Sequence, residues 1–117
     1  MTPTERRFRA SIIGEAYVAR LLHGKRLNHL NEFDVETDDF LFEVKSFTSK
    51  QESNPKIHIM PGSLGFKERA SWAKNKPAFI VACRLVNNQV VETRFGPVRA
   101  HFRFKSLEPI DKLLEMI

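Results

Sequence analysis

Residues 33–47 read FDVETDDFLFEVKSF, in which two alternating apolar and polar segments flank a central pair of aspartates. Alternation with a period of two is typical of a β-strand that buries one face. Asp38 and Asp39 favour a turn between the segments, because an aspartate side chain can hydrogen-bond its own backbone. The stretch therefore predicts a β-hairpin with strands over residues 33–37 and 40–47.

The turn also sets which residues face each other across this hairpin. Counted outward from a two-residue turn, Asp34 faces Glu43, with their Cβ atoms about 5 Å apart. An odd-length loop would break this pairing. Two opposed carboxylates repel each other, which becomes understandable if a divalent cation lies between them. Lys45 projects from the same face as Glu43, because the two residues are two positions apart on one strand.

This set of side chains points to a particular chemistry. Carboxylate and carbonyl oxygens are the ligands that Mg²⁺ prefers, and a neighbouring ammonium can orient an attacking water. Phosphodiester hydrolysis uses these groups together, and Asp34, Glu43 and Lys45 supply them within 12 residues. Two alternatives stay open: the acid is Asp38 or Asp39, or Glu43 and Lys45 form an ordinary solvated ion pair.

A helix is predicted upstream of the hairpin, from Pro3 and Thr4 to a C-terminal stop at Gly24. Its apolar positions recur at alternating steps of four and three residues, which define one core-facing stripe. A carboxylate lies within this stripe, which consists of Phe8, Ile12, Glu15, Ala19 and Leu22.

Downstream, turn residues divide the chain into short elements. The order of helix, strands, helix, strands and helix predicts one domain over residues 1–117, of the α/β (α+β) class. The predicted elements are an extended piece at 27–30, a loop at 48–56, a strand at 57–60, a helix at 64–75, strands at 78–86, 89–95 and 98–105 separated by turns at 87–88 and 96–97, and a helix at 110–117.

Composition narrows the class of protein further. The 117 residues, 42% of them hydrophobic, can bury one core. The 19 Lys and Arg against 14 Asp and Glu give a net charge of +5, which favours a polyanionic partner such as nucleic acid. A lone cysteine, Cys83, excludes a disulfide framework, and no apolar stretch approaches the ~20 residues of a membrane span. We therefore expect a cytoplasmic, intracellular protein without membrane contact.

The motif resembles a known superfamily. Asp34, eight residues, and then Glu43-Val44-Lys45 on a hairpin, after a helix that bears Glu15, resembles the PD-(D/E)XK nucleases. The small size and the order of elements are most similar to archaeal-type and phage-encoded Holliday junction resolvases. The resemblance covers residues 6–85 and implies a restriction-endonuclease-like fold, with a central mixed β-sheet flanked by helices.

The resemblance also implies roles for individual residues. Asp34, Glu43 and the main-chain carbonyl of Val44 would ligate Mg²⁺, for which Mn²⁺ substitutes. Lys45 would position the attacking water, and Glu15 would complete the catalytic site directly or through a water. The chain departs from the family pattern at Phe33, where the superfamily often has proline, and it lacks the Gly/Ser-rich loop of the archaeal resolvases.

Several residues are candidates for contact with DNA. Arg6 and Arg7 precede the site helix, Ser46 directly follows the motif, and Lys67 and Arg69 lie on the second helix, which in this superfamily often flanks the scissile phosphate. The strand at 98–105 also carries a row of cations. This row could follow a phosphate backbone, or it could be the solvated face of an edge strand, and the sequence favours neither interpretation.

These features together predict a Mg²⁺-dependent, structure-specific endodeoxyribonuclease. By its resemblance it would be a homodimeric Holliday junction resolvase that acts on branched DNA in recombination and repair. Another substrate, such as duplex DNA, flaps or ends, is the alternative within the same superfamily. From a different class, the alternative is a non-catalytic, basic nucleic-acid-binding accessory protein.

Overall fold

The computed structural model of the chain describes residues 2–48 and 54–117. Within these residues the architecture is mixed α/β, as predicted. None of the described helices is long and apolar enough to cross a membrane. The helices are α1 (Pro3–Leu21), α2 (Pro61–Lys74) and α3 (Ile110–Leu114), and the strands are β1 (Lys25–Arg26), β2 (Val35–Glu36), β3 (Leu41–Thr48), β4 (Lys56–His58), β5 (Ala78–Val86), β6 (Gln89–Pro97), β7 (His101–Arg103) and β8 (Glu108–Pro109).

The central sheet has six strands in the order β1-β2-β3-β5-β6-β8. β3 and β5 run parallel, with Glu43 beside Ile80, whereas the other neighbours run antiparallel. A parallel pair requires a long crossover, and here the crossover includes β4 and α2. β4 itself pairs with β7 in a separate two-stranded sheet. The prediction of a central mixed sheet accompanied by helices is therefore confirmed.

Apolar layers cover both faces of the central sheet, because alternate residues of a strand point to opposite sides. On the first face, residues of α1 and α3 pack with Phe42, Val44 and Val81. On the second face, Ile80 packs with Phe102 and with other residues of the smaller sheet. Burial on both faces explains why residues 80–83 of β5 have no exposed surface.

The core stripe predicted for α1 is wrong in its first half. Phe8 and Ile12 are 68% and 38% exposed. The helix turns a different stripe to the sheet, because small residues there allow a close approach. A Cβ atom on Gly14 would lie 1.8 Å from the Oγ atom of Ser46 on β3. Glu15 lies beside this stripe and is half-buried. The buried residues of α1 are Ala10, Gly14, Val18 and Ala19.

Local hydrogen bonds cap both ends of α1. At the N-terminus, Thr2 and Glu5 form a capping box, in which each side chain accepts the backbone N–H of the other residue. At the C-terminus, His23 has a φ of 55° and takes the left-handed position that was predicted for Gly24. Gly24 is needed for a different reason, since a Cβ atom there would lie 2.7 Å from the backbone oxygen of Glu36.

Some predicted strand boundaries are also wrong. β6 continues through the turn predicted at residues 96–97, where Gly96 pairs with Ile80 of β5. The strand predicted at 98–105 shortens to β7, because Phe104–Ser106 forms a 3₁₀ turn. The piece at 27–30 is not a strand, and β1 precedes it instead.

The strand predicted at 78–86 is confirmed as β5. The turn that follows is also confirmed, since Asn87 and Asn88 have positive φ angles of 51° and 63°, as tight hairpin turns require. α2 begins earlier than predicted, at Pro61, because proline suits the first turn of a helix. Of the loop predicted at 48–56, residues 49–53 lie outside the described residues.

Candidate active site

The hairpin of β2 and β3 has the register that its sequence predicts. Val35 pairs with Phe42 and Glu36 with Leu41, and Asp34, directly before Val35, lies close enough to Glu43 for that charge to raise its pKa. The aspartates at positions 38 and 39 are exposed in the connection between the strands. The two carboxylates are therefore brought together by local strand pairing, and the turn aspartates lie away from them.

Backbone hydrogen bonds hold Asp34 against the edge of β3. Its N–H donates to the carbonyl oxygen of Phe42 at 2.9 Å, and its Oδ2 accepts the N–H of Val44 at 2.8 Å. In an extended strand the N–H and carbonyl of one residue lie on the same edge. The Val44 carbonyl, the predicted third ligand, therefore lies on the edge that faces Asp34.

Glu43 is 9% exposed and lies between two lysines. Its Oε1 is 3.4 Å from the Nζ of Lys45, and its Oε2 is 3.1 Å from the Nζ of Lys67. The two amines differ in their access to solvent, because the Lys45 side chain is 36% exposed and the Lys67 side chain only 8%. Glu43 thus has one partner at the surface and one in the interior.

Lys67 is the site residue whose position the sequence analysis missed. It was predicted as a DNA contact on α2, but its amine donates to the backbone oxygen of Glu32 as well as to Glu43. The amine also lies 5.1 Å from the centroid of the Phe33 ring. A signal was present in the sequence, since Leu64 and Lys67 are three positions apart and share the inward face of α2.

Glu15, on α1, lies near enough to Asp34 for its charge to act there. Its Oε2 accepts the hydroxyl of Ser11 at 2.9 Å, and its Oε1 lies 3.6 Å from a guanidinium nitrogen of Arg26. Its negative charge contributes to raising the pKa of Asp34. Glu15 therefore belongs to the electrostatic neighbourhood of the site, while its own hydrogen bond is local to α1.

The pKa of Asp34 shows that its surroundings disfavour the negative charge of this carboxylate. Burial and the nearby charge of Glu43 raise the pKa to about 7, and Glu15 adds to the increase. The hydrogen bond from Val44 and the charge of Lys67 act in the opposite direction, but they do not cancel it. A cation placed beside Asp34 would relieve the repulsion among the carboxylates.

The donor set suits a hard divalent cation. Mg²⁺ commonly binds through one or two carboxylates and keeps several waters. Asp34 and Glu43 offer two carboxylates, and the Val44 carbonyl lies on the same strand edge. No group of three or more His, Cys, Asp or Glu side chains is placed to hold a metal within residues 2–48 and 54–117. A magnesium site here would therefore use these two carboxylates, that carbonyl and water.

Three of the predicted DNA contacts line one cleft. Arg6 and Arg7, on the first turns of α1, share a cleft of about 300 Å³ with Ser46 and Thr48 of β3. The Ser46 hydroxyl is buried on the α1 side of the sheet, without a hydrogen-bond partner among the described residues. The phosphate contact predicted for Ser46 would therefore require its side chain to move.

The fourth surface candidate, Arg69, is exposed on α2 and lies 4.8 Å from the centroid of the Phe66 ring. Between α2 and the central sheet lies a larger cleft of about 410 Å³, which reaches Lys67 and Phe33.

No family model, curated protein or solved structure matches this chain. The chemistry of the site therefore rests on its own geometry.

Proposed function

We propose that this chain is a Mg²⁺-dependent DNA endonuclease of the PD-(D/E)XK type. The observation that carries the proposal is the pair of neighbouring carboxylates, Asp34 and Glu43, with the amine of Lys45 beside Glu43. A structural hairpin gains nothing from placing two like charges close together. Phosphodiester hydrolysis does need such a pair, together with an amine and a cation.

Each side chain then has a defined task. Bound Mg²⁺ would supply Lewis-acid polarisation of the phosphate and an acidified water. Asp34, fixed by the Val44 N–H, and Glu43 would hold the ion. Lys45, whose amine is partly open to solvent, would orient the attacking water and offset charge that develops on the phosphate. Glu15 would adjust the field at Asp34.

The order of elements supports a restriction-endonuclease-like arrangement. α1 packs on the sheet before the hairpin that carries the motif, and β3 then pairs in parallel with β5 through a crossover that contains α2. The net charge of +5 and the cleft lined by Arg6 and Arg7 support a nucleic-acid substrate. Arg69, exposed on α2, is a further candidate for contact with the phosphate backbone.

For the substrate, we propose branched DNA, with a four-way junction as the first candidate and a homodimer as the active form. A junction needs two cuts, whereas the described residues of one chain offer one such carboxylate pair. Duplex DNA, flaps and ends are the alternatives. Sedimentation of the protein with and without junction DNA tests the dimer, and a stable monomer in both samples would remove it.

The deciding experiment is cleavage of end-labelled four-way junction, linear duplex and single-stranded DNA in Mg²⁺. EDTA and Lys45→Ala serve as negative controls, and Lys74→Ala is the matched control, because Lys74 also bonds a hairpin glutamate but lies away from the carboxylate pair. Symmetric, metal-dependent nicks confined to the junction would identify a resolvase. If the folded protein binds DNA but cuts none of these substrates in Mg²⁺ or Mn²⁺, a non-catalytic binding protein becomes the better account.

A further inference from the structure

Lys67 is an unusual residue for the interior of a small domain, because lysine is rarely buried without a specific partner. Its residue exposure is 6%, and its amine donates to two oxygens, one on Glu32 and one on Glu43. The Phe33 ring borders the amine on another side. Two hydrogen bonds and an aromatic face leave this ammonium little freedom to move.

Lys45 holds the same carboxylate far more loosely. Its Nζ lies 3.4 Å from Glu43 Oε1, and Glu43 is its one ion-pair partner among residues 2–48 and 54–117. An ion pair at that distance whose amine is partly open to solvent contributes little to stability, and the amine readily exchanges the carboxylate for water. A cation that approaches Glu43 therefore meets one oxygen with an easily displaced partner and one oxygen with a fixed partner.

We infer that Lys67 is a positioning residue for the metal site: it fixes Oε2 of Glu43 and leaves Oε1 for a divalent cation, which replaces Lys45 there. This inference rests on the proposed function, and it adds a residue outside the motif to the machinery. A fixed carboxylate is valuable because hydrogen-bonding partners of metal ligands hold them in their binding orientation.

The inference makes a prediction that simple electrostatics does not. If each lysine acted only through its charge, removing either one would tighten the binding of a cation, because a nearby positive charge repels it. If Lys67 orients Glu43, removing it weakens binding, while removing Lys45 tightens binding. The two variants should therefore change the affinity for a divalent cation in opposite directions.

The test is titration of the full chain with MnCl₂ in the absence of DNA, followed by the electron paramagnetic resonance signal of free Mn²⁺. We expect Lys67→Met to weaken Mn²⁺ binding about 10–100-fold, as is typical when a partner of a metal ligand is removed. Lys45→Met should tighten binding a fewfold. Lys74→Met is the matched control and should leave the affinity unchanged, because Lys74 bonds Glu36 on the same hairpin.

Circular dichroism and a cooperative thermal transition show whether each variant is folded. If Lys67→Met does not fold, Lys67→Gln takes its place, since a neutral amide fills most of the same volume. Tighter or unchanged Mn²⁺ binding by the folded Lys67 variant overturns the positioning role while leaving the nuclease proposal intact. Absence of Mn²⁺ binding by the unmodified chain overturns both.

Discussion

Two glutamates of the same hairpin each lie against two lysines, yet their surroundings differ. Glu36 accepts from Lys74 and Lys76, each at 2.8 Å. Glu43 lies 3.1 Å from Lys67 and 3.4 Å from Lys45. Each glutamate thus has at least one lysine partner from α2, and each has two lysine amines nearby. The pairs are distinguished by what else lies nearby.

The pKa values show the difference. Hydrogen bonds from Lys74 and Lys76 lower the pKa of Glu36 to about 2, as expected for a carboxylate whose charge is balanced. At the other position, burial and Glu43 raise the pKa of Asp34 to about 7. The two lysines beside Glu36 therefore stabilise its charge, whereas burial and a neighbouring acid destabilise the charge of Asp34.

The hairpin register explains why the two positions diverge. Across the ladder, Glu36 pairs with the apolar Leu41, whereas Glu43 lies near a second acid, Asp34. Glu36 is therefore a single carboxylate held by two lysines, and Glu43 belongs to a partly buried group of acids. The contrast separates a structural ion pair from a candidate catalytic site.

The largest expected effect is on DNA cleavage. Asp34→Asn and Glu43→Gln should each lower the rate at saturating Mg²⁺ by at least about a hundredfold, because each removes a charge that stabilises the transition state. Glu36→Gln makes the same chemical change at the other glutamate of the hairpin. Its cleavage rate should stay within about threefold of the rate of the unmodified chain. Single-turnover cleavage of the preferred substrate measures all three rates.

Equal losses in all three variants would break the comparison, since they would show that the hairpin acts as one structural unit. DNA binding provides the control for this experiment. Removing a negative charge near phosphates should not weaken binding, so Asp34→Asn and Glu43→Gln are expected to bind DNA at least as tightly as the unmodified chain.

The next largest effect concerns stability in Mg²⁺. A cation that binds the folded state alone stabilises it by about 2.7 kcal/mol at one hundred times its Kd. Urea denaturation with and without MgCl₂ should show this gain for the unmodified chain and for Glu36→Gln. Glu43→Gln should show little gain. A comparable gain in Glu43→Gln would place the cation elsewhere on the protein.

The contrast between the two glutamates also shows how far sequence patterns reach. The hairpin register, with Val35 beside Phe42, was predictable, because strand periodicity and a short turn determine it locally. The strand at 78–86 was predictable because turn residues bound it. The proximity of Asp34 and Glu43 follows from the hairpin register, so it could be inferred from 12 residues.

Features that depend on contacts between distant elements were not predictable in this way. The exposed positions of Phe8 and Ile12 follow from the close approach of Gly14 to Ser46, a contact across 32 residues that helical spacing does not encode. The interior position of Lys67 follows from the packing of α2 against the hairpin. The spacing of Leu64 and Lys67 puts both residues on one face of α2, but it does not show which oxygens the Lys67 amine meets there.

A smaller effect is expected from the pH dependence of stability without metal. The raised pKa of Asp34 means that the folded state binds its proton more tightly than the unfolded state. This contribution to stability is full below about pH 4 and is lost as the pH rises through about 7. Asparagine carries no charge, so Asp34→Asn avoids the loss of stability at high pH, and its side-chain oxygen can still accept the Val44 N–H. The substitution should therefore raise the unfolding free energy by about 2 kcal/mol at pH 8.

The gain from Asp34→Asn should shrink towards pH 4, where the aspartate is also protonated in the folded state. Urea denaturation at pH 4, 6 and 8 in EDTA measures the trend. A gain that does not change with pH would indicate a packing effect rather than relief of the cost of a buried charge beside Glu43, and would remove the main electrostatic argument for a cation at this position.

The smallest effect is expected at Glu36, and its pH dependence has the opposite sign. Because the folded-state pKa is lowered to about 2, the ion pairs contribute stability that is present above about pH 4.5 and is lost as the pH falls through about 2. Both lysines reach solvent, so Glu36→Gln should cost only about 1 kcal/mol at pH 7. The same urea series measures this cost, which should decrease in acid. A cost that grows towards low pH would show that Glu36, like Asp34, has unbalanced charge nearby, and the distinction between the two clusters would fail.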